Sequence, residues 1–429
     1  MPPLRIALAG LGTVGAAVLQ QLRENAEIMA VRAGRRIEIV AVSARSKTKE
    51  RGFSLEGLRW EDDPLAFASA SDIDVVVELM GGAEGSARAL CEAALRAGKS
   101  VVTANKALLA AHGTALAKMA ESKKAALKYE AAVGGGIPII KAMLDSFAGN
   151  KIAAVQGILN GTCNYILTRM EAEALPFEQV LAAAQTLGFA EADPAADLDG
   201  HDTAQKLALL ATLAFGVPPD LPGLSVEGIR RVTLLDIQLA TELGYRIKLL
   251  GVAGIRESGL TRLVAPMLVP LRAPLAKVDG VLNAVLIQGS PMGAATFVGS
   301  GAGGDPTSSA VLSDLMDLAR SSCGLPFGVP ADALAPLPIV RPEAETSRWY
   351  MRLRVADRPG VVADISAILR DAYISIESML QHGRSRTDSV PVILTTHEVD
   401  ERALRHAAAQ IAKLDSVAEQ PFCLRISQS

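Results

Sequence analysis

A dense group of charged residues near the middle of the chain has the types and spacing that proton transfer needs. Four carboxylates fall between Glu191 and Asp199, and Asp202 and Lys206 follow four residues apart. That spacing places Asp202 and Lys206 on one helix face, in line with apolar residues such as Leu209. A charge pair beside a core stripe is costly unless it lines a cleft, where a lysine can transfer protons near neutral pH. The spacing leaves open a surface ion pair at a helix start.

A glycine-rich segment near the N-terminus could hold phosphate groups. It follows the predicted strand Leu4–Ala9, precedes a predicted helix, and has the sequence Gly10-Leu11-Gly12-Thr13-Val14-Gly15. Gly10 permits a tight turn, Gly12 lets the backbone approach a pyrophosphate, and Gly15 lets the helix pack close to the strand. The free N–H groups of the helix N-terminus favour an anion. In this context the pattern predicts a dinucleotide-binding loop, against the alternative of a turn without a ligand.

The residues after the second predicted strand bear on the choice of nucleotide. An NAD site usually has Asp or Glu here to hold the ribose 2′-hydroxyl, but Ile37–Ser43 is followed by Arg45 and Lys47. Two cations suit the 2′-phosphate of NADP. NADP is therefore the predicted cofactor, and NAD is the alternative if both cations are ordinary loop charges.

Two further segments could contribute to a site. Thr103-Ala104-Asn105-Lys106 ends a predicted strand, so Lys106 would lie at the carboxyl edge of a parallel sheet, where ligands bind. Residues 129–138 carry Glu130 and a glycine-rich loop. Several backbone carbonyls beside one carboxylate suit a hard cation. A solvated lysine and a simple hinge between domains are the respective alternatives.

The order of predicted elements divides the chain into domains. Alternating strands and helices predict an α/β, Rossmann-type domain over residues 1–135, completed by a helix near 305–330. Residues 136–304 mix helical periods with apolar strands such as 248–255, which indicates an α+β substrate domain. A proline-rich linker is predicted over 334–346, and residues 347–429 have the βαββαβ order of a ferredoxin-like domain.

Bulk composition excludes several classes of protein. The 429-residue chain has a net charge of −3 and no basic cluster, which argues against a nucleic-acid partner. No apolar run is long enough to cross a membrane, and the N-terminus predicts no signal peptide. The four cysteines lack metal-ligand spacing, so a reduced, cytoplasmic setting is expected.

These segments together resemble homoserine dehydrogenase, in its bacterial form with a C-terminal ACT domain. The resemblance covers roughly the first 330 residues in the family's order. The matching segments are Gly10 to Gly15, Thr103 to Lys106, Tyr129 to Pro138, Asn160-Gly161-Thr162-Cys163-Asn164-Tyr165, Gly188 to Lys206, and Gly301-Ala302-Gly303-Gly304. The ACT resemblance rests on Val355-Ala356-Asp357-Arg358-Pro359-Gly360-Val361.

The resemblance implies the reversible, NAD(P)-linked interconversion of L-homoserine and L-aspartate 4-semialdehyde. It implies that Asp202 and Lys206 are the catalytic pair, with Lys206 the proton donor in aldehyde reduction. It implies that Glu191 binds the substrate ammonium and that Asp197 and Lys106 lie at the reacting oxygen. It implies that the glycine loop, Thr103, Lys106 and Gly303 bind the cofactor. It implies that sodium is bound by Glu130 with the carbonyls of Val133, Gly135 and Ile137.

The ACT resemblance implies a regulatory role and an oligomer. ACT domains commonly bind amino acids, and the turn at Asp357 and Gly360 precedes a helix N-terminus that suits a carboxylate. Because the reaction leads toward threonine, methionine and isoleucine, threonine is the predicted effector, with a purely dimerising domain as the alternative. A homodimer through the middle domain is expected, and ACT domains could pair dimers into a tetramer.

Two rival functions share some of these features. Aspartate-semialdehyde dehydrogenase forms a thioester on a thiolate. Cys163 is the one cysteine in a suggestive setting, but no histidine stands near it in sequence and it is predicted to be a packing residue. A non-catalytic NAD(P)-binding sensor would not need the combination of Lys106, Glu191, Asp202 and Lys206.

Overall fold

The computed structural model describes residues 1–341, 343, 345–381 and 389–427. Pro342 and Ala344 of the predicted linker, and residues 382–388 and 428–429 of the predicted C-terminal domain, lie outside the described residues. Among the described residues, no helix has the length and apolarity that crossing a membrane requires. Within the described ranges, two β-sheets organise the fold, one of six strands and one of eleven.

The N-terminal unit is a parallel sheet in the order β3-β2-β1-β4-β5-β6, covered by helices. Its strands are β1 (Leu4–Ala9), β2 (Ile37–Ser43), β3 (Arg59–Trp60), β4 (Val75–Glu78), β5 (Ser100–Thr103) and β6 (Leu127–Lys128). Its helices are α1 (Thr13–Glu24), α2 (Ala26–Ala33), α3 (Ala66–Ser69), α4 (Ser86–Arg96) and α5 (Lys106–Lys123). Strand β4 is fully buried, as expected for a parallel strand covered on both faces. The predicted parallel α/β fold is confirmed.

The turn between β1 and α1 requires glycine at two positions. Gly10 has φ +103°, and a Cβ atom there would lie 2.5 Å from the carbonyl oxygen of Leu79. A Cβ atom on Gly15 would lie 2.0 Å from the carbonyl oxygen of Gly10. A Cβ atom on Gly12 would meet nothing within 4 Å. Gly10 and Gly15 therefore close the turn, whereas Gly12 borders open space.

The middle unit is a mostly antiparallel sheet with helices on one face. Its strands are β7 (Lys151–Ile158), β8 (Ser225–Val226), β9 (Tyr245–Arg256), β10 (Gly259–Pro270), β11 (Leu282–Ser290) and β12 (Gly293–Ser300). Its helices are α6 (Ile139–Lys141), α7 (Gly161–Glu173), α8 (Phe177–Thr186), α9 (Ala195–Leu198), α10 (His201–Phe215) and α11 (Leu234–Glu242). The next helix, α12 (Gly304–Ala319), returns to the N-terminal unit and shares a buried apolar cluster with α1.

The C-terminal unit has the predicted βαββαβ order, with one short extra strand. Its elements are β13 (Thr346–Ala356), α13 (Val361–Asp371), β14 (Ile376–Gln381), β15 (Ser389–Thr396), β16 (Val399–Asp400), α14 (Glu401–Ile411) and β17 (Phe422–Ile426). Strand β17 pairs in parallel with β10, with Met267 opposite Arg425 and Leu268 opposite Ile426. The middle and C-terminal units therefore share one sheet, which the sequence pattern did not indicate.

Part of the predicted linker, Pro338 to Val340, runs beside the start of β10. The N–H of Leu260 donates to the carbonyl of Pro338 at 2.8 Å, and the N–H of Val340 donates to the carbonyl of Leu260 at 3.0 Å. Strand β13 begins at Thr346, the last residue of the predicted linker. These two hydrogen bonds tie the chain that leads into the C-terminal unit to the sheet of the middle unit.

Gly15→Ala should destabilise the protein, because the new methyl group must displace the carbonyl of Gly10. Overpacking of this kind costs about 1–3 kcal/mol of unfolding free energy, which chemical denaturation can measure. Gly12→Ala is the matched control: its methyl group enters open space, but alanine is a poorer helix N-cap than glycine, so it should cost about 0.5–1 kcal/mol, less than Gly15→Ala. Equal midpoints for the two variants would contradict the packing described for Gly15.

Candidate active site

The Asp202 carboxylate lies at the centre of a charged cluster at the start of α10. Lys206 donates to its Oδ2 at 2.7 Å, and the Nζ of Lys106 lies 3.1 Å from its Oδ1. Lys206 also donates to the carbonyl of Leu159, directly after β7, at 2.7 Å. The Lys206 residue is 8% exposed, and one third of the Lys106 side chain is exposed. Asp202 and Lys206, which were predicted to share one helix face, therefore form a largely buried ion pair rather than a surface one.

Asn160 joins this cluster to the neighbouring short helix. Its Oδ1 accepts the N–H of Cys163 at 2.8 Å and so caps α7. Its Nδ2 donates to Asp202 at 2.9 Å and to Asp197, on α9, at 2.7 Å. One buried amide thus fixes two carboxylates. Asn160 had no individual predicted role, although an asparagine just before a helix is a usual cap signal.

The electrostatics of the cluster keep Asp202 ionised. Burial raises the pKa of Asp202, but the attraction of Lys206 and then of Lys106 outweighs burial and holds that pKa well below its usual range. Breaking the group by removing one partner would leave a buried, uncompensated charge.

Hydrogen bonds at the ends of β4 and β5 fix the position of Lys106. Asn105 caps α5 by accepting the N–H of Leu108 at 3.1 Å, and its amide nitrogen donates to Gly82 at 2.7 Å. Thr103 donates to the buried carboxylate of Glu78 at 2.7 Å. Helix α5 therefore begins at the sheet edge with Lys106 as its first residue. Glu78 was not recognised from the sequence because a lone acid ending an apolar strand carries no spacing signal.

The predicted cofactor residues gather at the same edge of the sheet. Gly12 borders open space at the N-terminus of α1. Gly303 has φ +117° and precedes α12, and a Cβ atom on the adjacent Gly304 would lie 3.2 Å from the side chain of Thr13. Arg45 and Lys47 are exposed on the loop after β2. The backbone N–H groups, the open space and the two cations together fit a dinucleotide.

The two predicted substrate carboxylates differ in position. Asp197 is partly buried and is tied to the Asp202 cluster through Asn160. Glu191 is exposed on the loop before α9, where its backbone carbonyl accepts from the amide of Gln185 at 3.2 Å. The structure therefore brings Asp197 into the cluster, whereas Glu191, although close to Asp197 in sequence, is exposed on the surface.

Glu130 is buried where the N-terminal and middle units meet. Its carboxylate accepts the N–H groups of Ile140 at 3.0 Å and Lys141 at 2.8 Å, while its own N–H donates to Asp314 at 2.8 Å. Burial raises the pKa of both carboxyls, that of Glu130 and that of Asp314, to about 7. Because both carboxylate oxygens of Glu130 already accept hydrogen bonds, the sodium prediction rests on the loop carbonyls. The described residues contain no group of three or more His, Cys, Asp or Glu that could hold a metal ion.

Cys163 is a packing residue in the structure. Its side chain is fully buried, its thiol donates to the carbonyl of Asp197 at 3.2 Å, and burial raises the pKa of the thiol well above its usual value. A thioester-forming enzyme needs the thiolate, which this environment disfavours. The geometry therefore gives no support to the aspartate-semialdehyde dehydrogenase alternative.

The predicted effector turn is exposed at the far end of β13. Asp357 and Gly360 lie on the surface, and Gly360 adopts φ +97° as the residue before α13. The turn thus has the expected place before a helix N-terminus. The turn belongs to the C-terminal unit, whereas the Asp202 cluster lies where the N-terminal and middle units meet.

Family models match most of the chain. A model described as "Homoserine dehydrogenase, NAD binding domain" matches residues 10–130, one described as "Homoserine dehydrogenase" matches 138–316, and one described as "ACT domain" matches 349–416. These matches follow the order of the three structural units.

Full-length relatives carry the same name. A homoserine dehydrogenase of Pseudomonas aeruginosa is 41% identical, with 100% of both chains covered. The crystal structure of a homoserine dehydrogenase from Thiobacillus denitrificans has a TM-score of 0.93 at 43% identity and covers 99% of this chain and 98% of that one. A hyperthermophilic archaeal homoserine dehydrogenase in complex with NADPH has a TM-score of 0.66 at 25% identity, covering 75% of this chain and 99% of that one.

Asp314→Asn should flatten the pH dependence of the free energy of unfolding. In the native protein this carboxyl keeps its proton up to about pH 7, whereas in the unfolded chain it ionises near pH ~4. Raising the pH from 4 to 7 therefore favours the unfolded state, because only the unfolded chain releases this proton. Asparagine has no such proton. Between pH 5 and pH 7, denaturation should show the wild type losing about 2 kcal/mol more than the variant; equal losses would contradict the assignment.

Proposed function

Because this chain belongs to the homoserine dehydrogenase family and is an NAD(P)-dependent oxidoreductase acting on a CH–OH group, we propose that the Asp202 cluster is its catalytic centre. The substrates are L-homoserine and L-aspartate 4-semialdehyde, interconverted reversibly. The observation that carries the assignment is the buried Lys206 ammonium, held by Asp202 and by the Leu159 carbonyl. With Lys106 on the same carboxylate, two cations would face the charge that develops on the substrate oxygen.

Lys206 is proposed to move the proton. An ammonium has three N–H donors, and Lys206 uses two on Asp202 and Leu159. The third is available to the substrate oxygen, which receives a proton during aldehyde reduction and gives one up during homoserine oxidation. Asp202 orients the ammonium, and Lys106 stabilises negative charge on the same oxygen.

The bound nicotinamide would supply the hydride in one direction and accept it in the other. Gly10 to Gly15, Thr103, Lys106 and Gly303 are proposed to hold the dinucleotide. NADP is the proposed preference, because Arg45 and Lys47 stand where the 2′-phosphate is held in this fold and no acid competes with them. The relative in complex with NADPH supports the same choice.

Substrate binding and a structural cation are proposed from the remaining residues. Glu191 would hold the substrate ammonium once its loop closes on the site, and Asp197 would bind near the reacting oxygen. Sodium would be held at the Glu130 loop by the carbonyls of Val133, Gly135 and Ile137, since carbonyl oxygens suit a hard cation.

Regulation and assembly complete the proposal. The ACT unit is proposed to mediate feedback by threonine through the turn at Asp357 and Gly360, within threonine, methionine and isoleucine biosynthesis. A cytoplasmic homodimer through the middle unit is proposed. Strand β12 lies at the edge of the described sheet, and its apolar Val298 is 52% exposed. Both features support this homodimer. ACT domains would pair dimers if the enzyme is a tetramer.

Purified protein should oxidise NADPH at 340 nm with aspartate 4-semialdehyde, and faster than it oxidises NADH. Lys206→Ala should lower kcat by roughly 10²–10⁴-fold, because the proton donor is lost, while NADPH binding followed by fluorescence persists. Lys118→Ala, which removes an exposed lysine paired with Asp332, is the control and should keep full turnover. Wild-type turnover in Lys206→Ala would rule out the proposed proton donor, and a faster NADH rate would reverse the cofactor preference.

A further inference from the structure

Asn283, the second residue of β11, is a buried amide whose hydrogen-bonding groups are unused. The residue is 1% exposed, and among the residues that the structure describes neither its Nδ2 nor its Oδ1 has a hydrogen-bond partner. A buried amide in this state destabilises the fold, whereas an apolar side chain of the same shape does not. The polarity of Asn283 therefore does not stabilise the free protein.

The Asn283 side chain lies on the sheet face that carries the catalytic helix. Because side chains alternate along a strand, Asn283 shares a face with Val285, which belongs to the same buried cluster as Leu207 of α10. The register of β11 with β7 places Asn283 beside Leu159, whose carbonyl accepts the Lys206 ammonium. The unpaired amide therefore stands next to the strand end that holds the proposed proton donor.

Two segments that serve the site close over this amide. A Cβ atom on Gly301 would lie 2.0 Å from the Cγ of Asn283 and 2.1 Å from its Nδ2. A Cβ atom on Gly161 would lie 3.6 Å from its Oδ1. Gly301 leads into Gly303, which is proposed to contact the dinucleotide, and Gly161 follows Asn160, which fixes two carboxylates of the cluster. The amide thus lies between the cofactor segment and the catalytic cluster.

The segment from Ser300 to Gly303 is enclosed on its other side by the glycine loop of the hinge. A Cβ atom on Gly135 would lie 2.6 Å from the carbonyl carbon of Gly301, and the N–H of Gly136 donates to the carbonyl of Ser300 at 2.9 Å. Gly303 is exposed, whereas Gly301 is buried. A dinucleotide in contact with Gly303 would therefore act on Gly301, behind which lies the Asn283 amide.

We propose that Asn283 is a positioning residue for the dinucleotide: when the cofactor binds, the backbone of residues 301–303 adjusts and makes the hydrogen bonds that the Asn283 amide lacks in the free protein. The inference rests on the proposed function, because it takes Gly303 as a cofactor contact. A carboxamide suits this role, because its NH₂ group donates to a peptide carbonyl and its oxygen accepts a peptide N–H. The polar groups of Asn283 would then add to cofactor affinity instead of to stability.

The first measurement compares Asn283→Leu with Asn164→Leu in chemical denaturation of the free protein. Asn164 is also 1% exposed, but its Nδ2 donates to two backbone carbonyls and its Oδ1 accepts from Lys248. Asn164→Leu should lower the unfolding midpoint, because it leaves those partners unpaired. Asn283→Leu, which removes an unpaired amide and nearly keeps its shape, should unfold at the wild-type midpoint or above it.

The second measurement is NADPH binding, followed by fluorescence of the full-length protein. The dissociation constant should rise about tenfold in Asn283→Leu, because the loaded protein loses the hydrogen bonds of the amide, and should stay within about twofold of wild type in Asn164→Leu. If Asn283→Leu does not fold, Asn283→Thr and Asn283→Val replace it. These two side chains have one shape and differ in a hydroxyl group, so the threonine variant should bind NADPH more tightly.

A midpoint for Asn283→Leu as low as that of Asn164→Leu would overturn the inference, because the amide would then have partners in the free protein. Wild-type affinity for NADPH in Asn283→Leu would overturn it as well. A wild type that binds NADPH but does not oxidise it with aspartate 4-semialdehyde would contradict the proposed function alone. A wild type that does not bind NADPH would contradict both.

Discussion

The ion pair between Asp202 and its two lysines is the interaction on which the rest of the site depends. Lys206 comes from the same helix, but Lys106 begins a helix of the N-terminal unit, so the carboxylate joins two units at one point. Charges this close are stable only because each lysine lies against the carboxylate and hydrogen bonds satisfy the remaining donors and acceptors. Asn160 and the carbonyl of Leu159 provide those bonds. The cluster thus fixes two lysine side chains where the N-terminal and middle units meet.

The shared sheet explains how a distant unit can bear on this cluster. The C-terminal unit pairs with β10, β10 pairs along its whole length with β9, and β9 pairs with β7, which ends just before Leu159 and Asn160. A second connection is polar: Tyr350 and Arg352 of β13 bind the Asp236 carboxylate at 2.9 and 3.0 Å, at the start of α11. Both connections consist of paired backbone or buried polar groups, which have few alternative arrangements.

Local features of this protein could be predicted from its sequence, whereas long-range ones could not. The glycine loop, the pairing of Asp202 with Lys206, and the βαββαβ order depend on short spacings, and each appears in the structure as predicted. The roles of Asn160 and Glu78, and the pairing of β17 with β10, depend on residues far apart in the chain. A lone polar residue or an apolar strand gives no sign of which distant partner it will meet. Glu191 shows the converse, since the family pattern gives it a role while the structure leaves it exposed.

The most direct test of the account is the turnover of Asp202→Asn, which removes the charge of the central carboxylate and keeps its shape. The account predicts that kcat falls at least about a hundredfold, because both lysines lose the anion that orients them, while the affinity for NADPH stays near that of the wild type. Turnover equal to that of the wild type, at unchanged NADPH affinity, would contradict the claim that this ion pair organises catalysis.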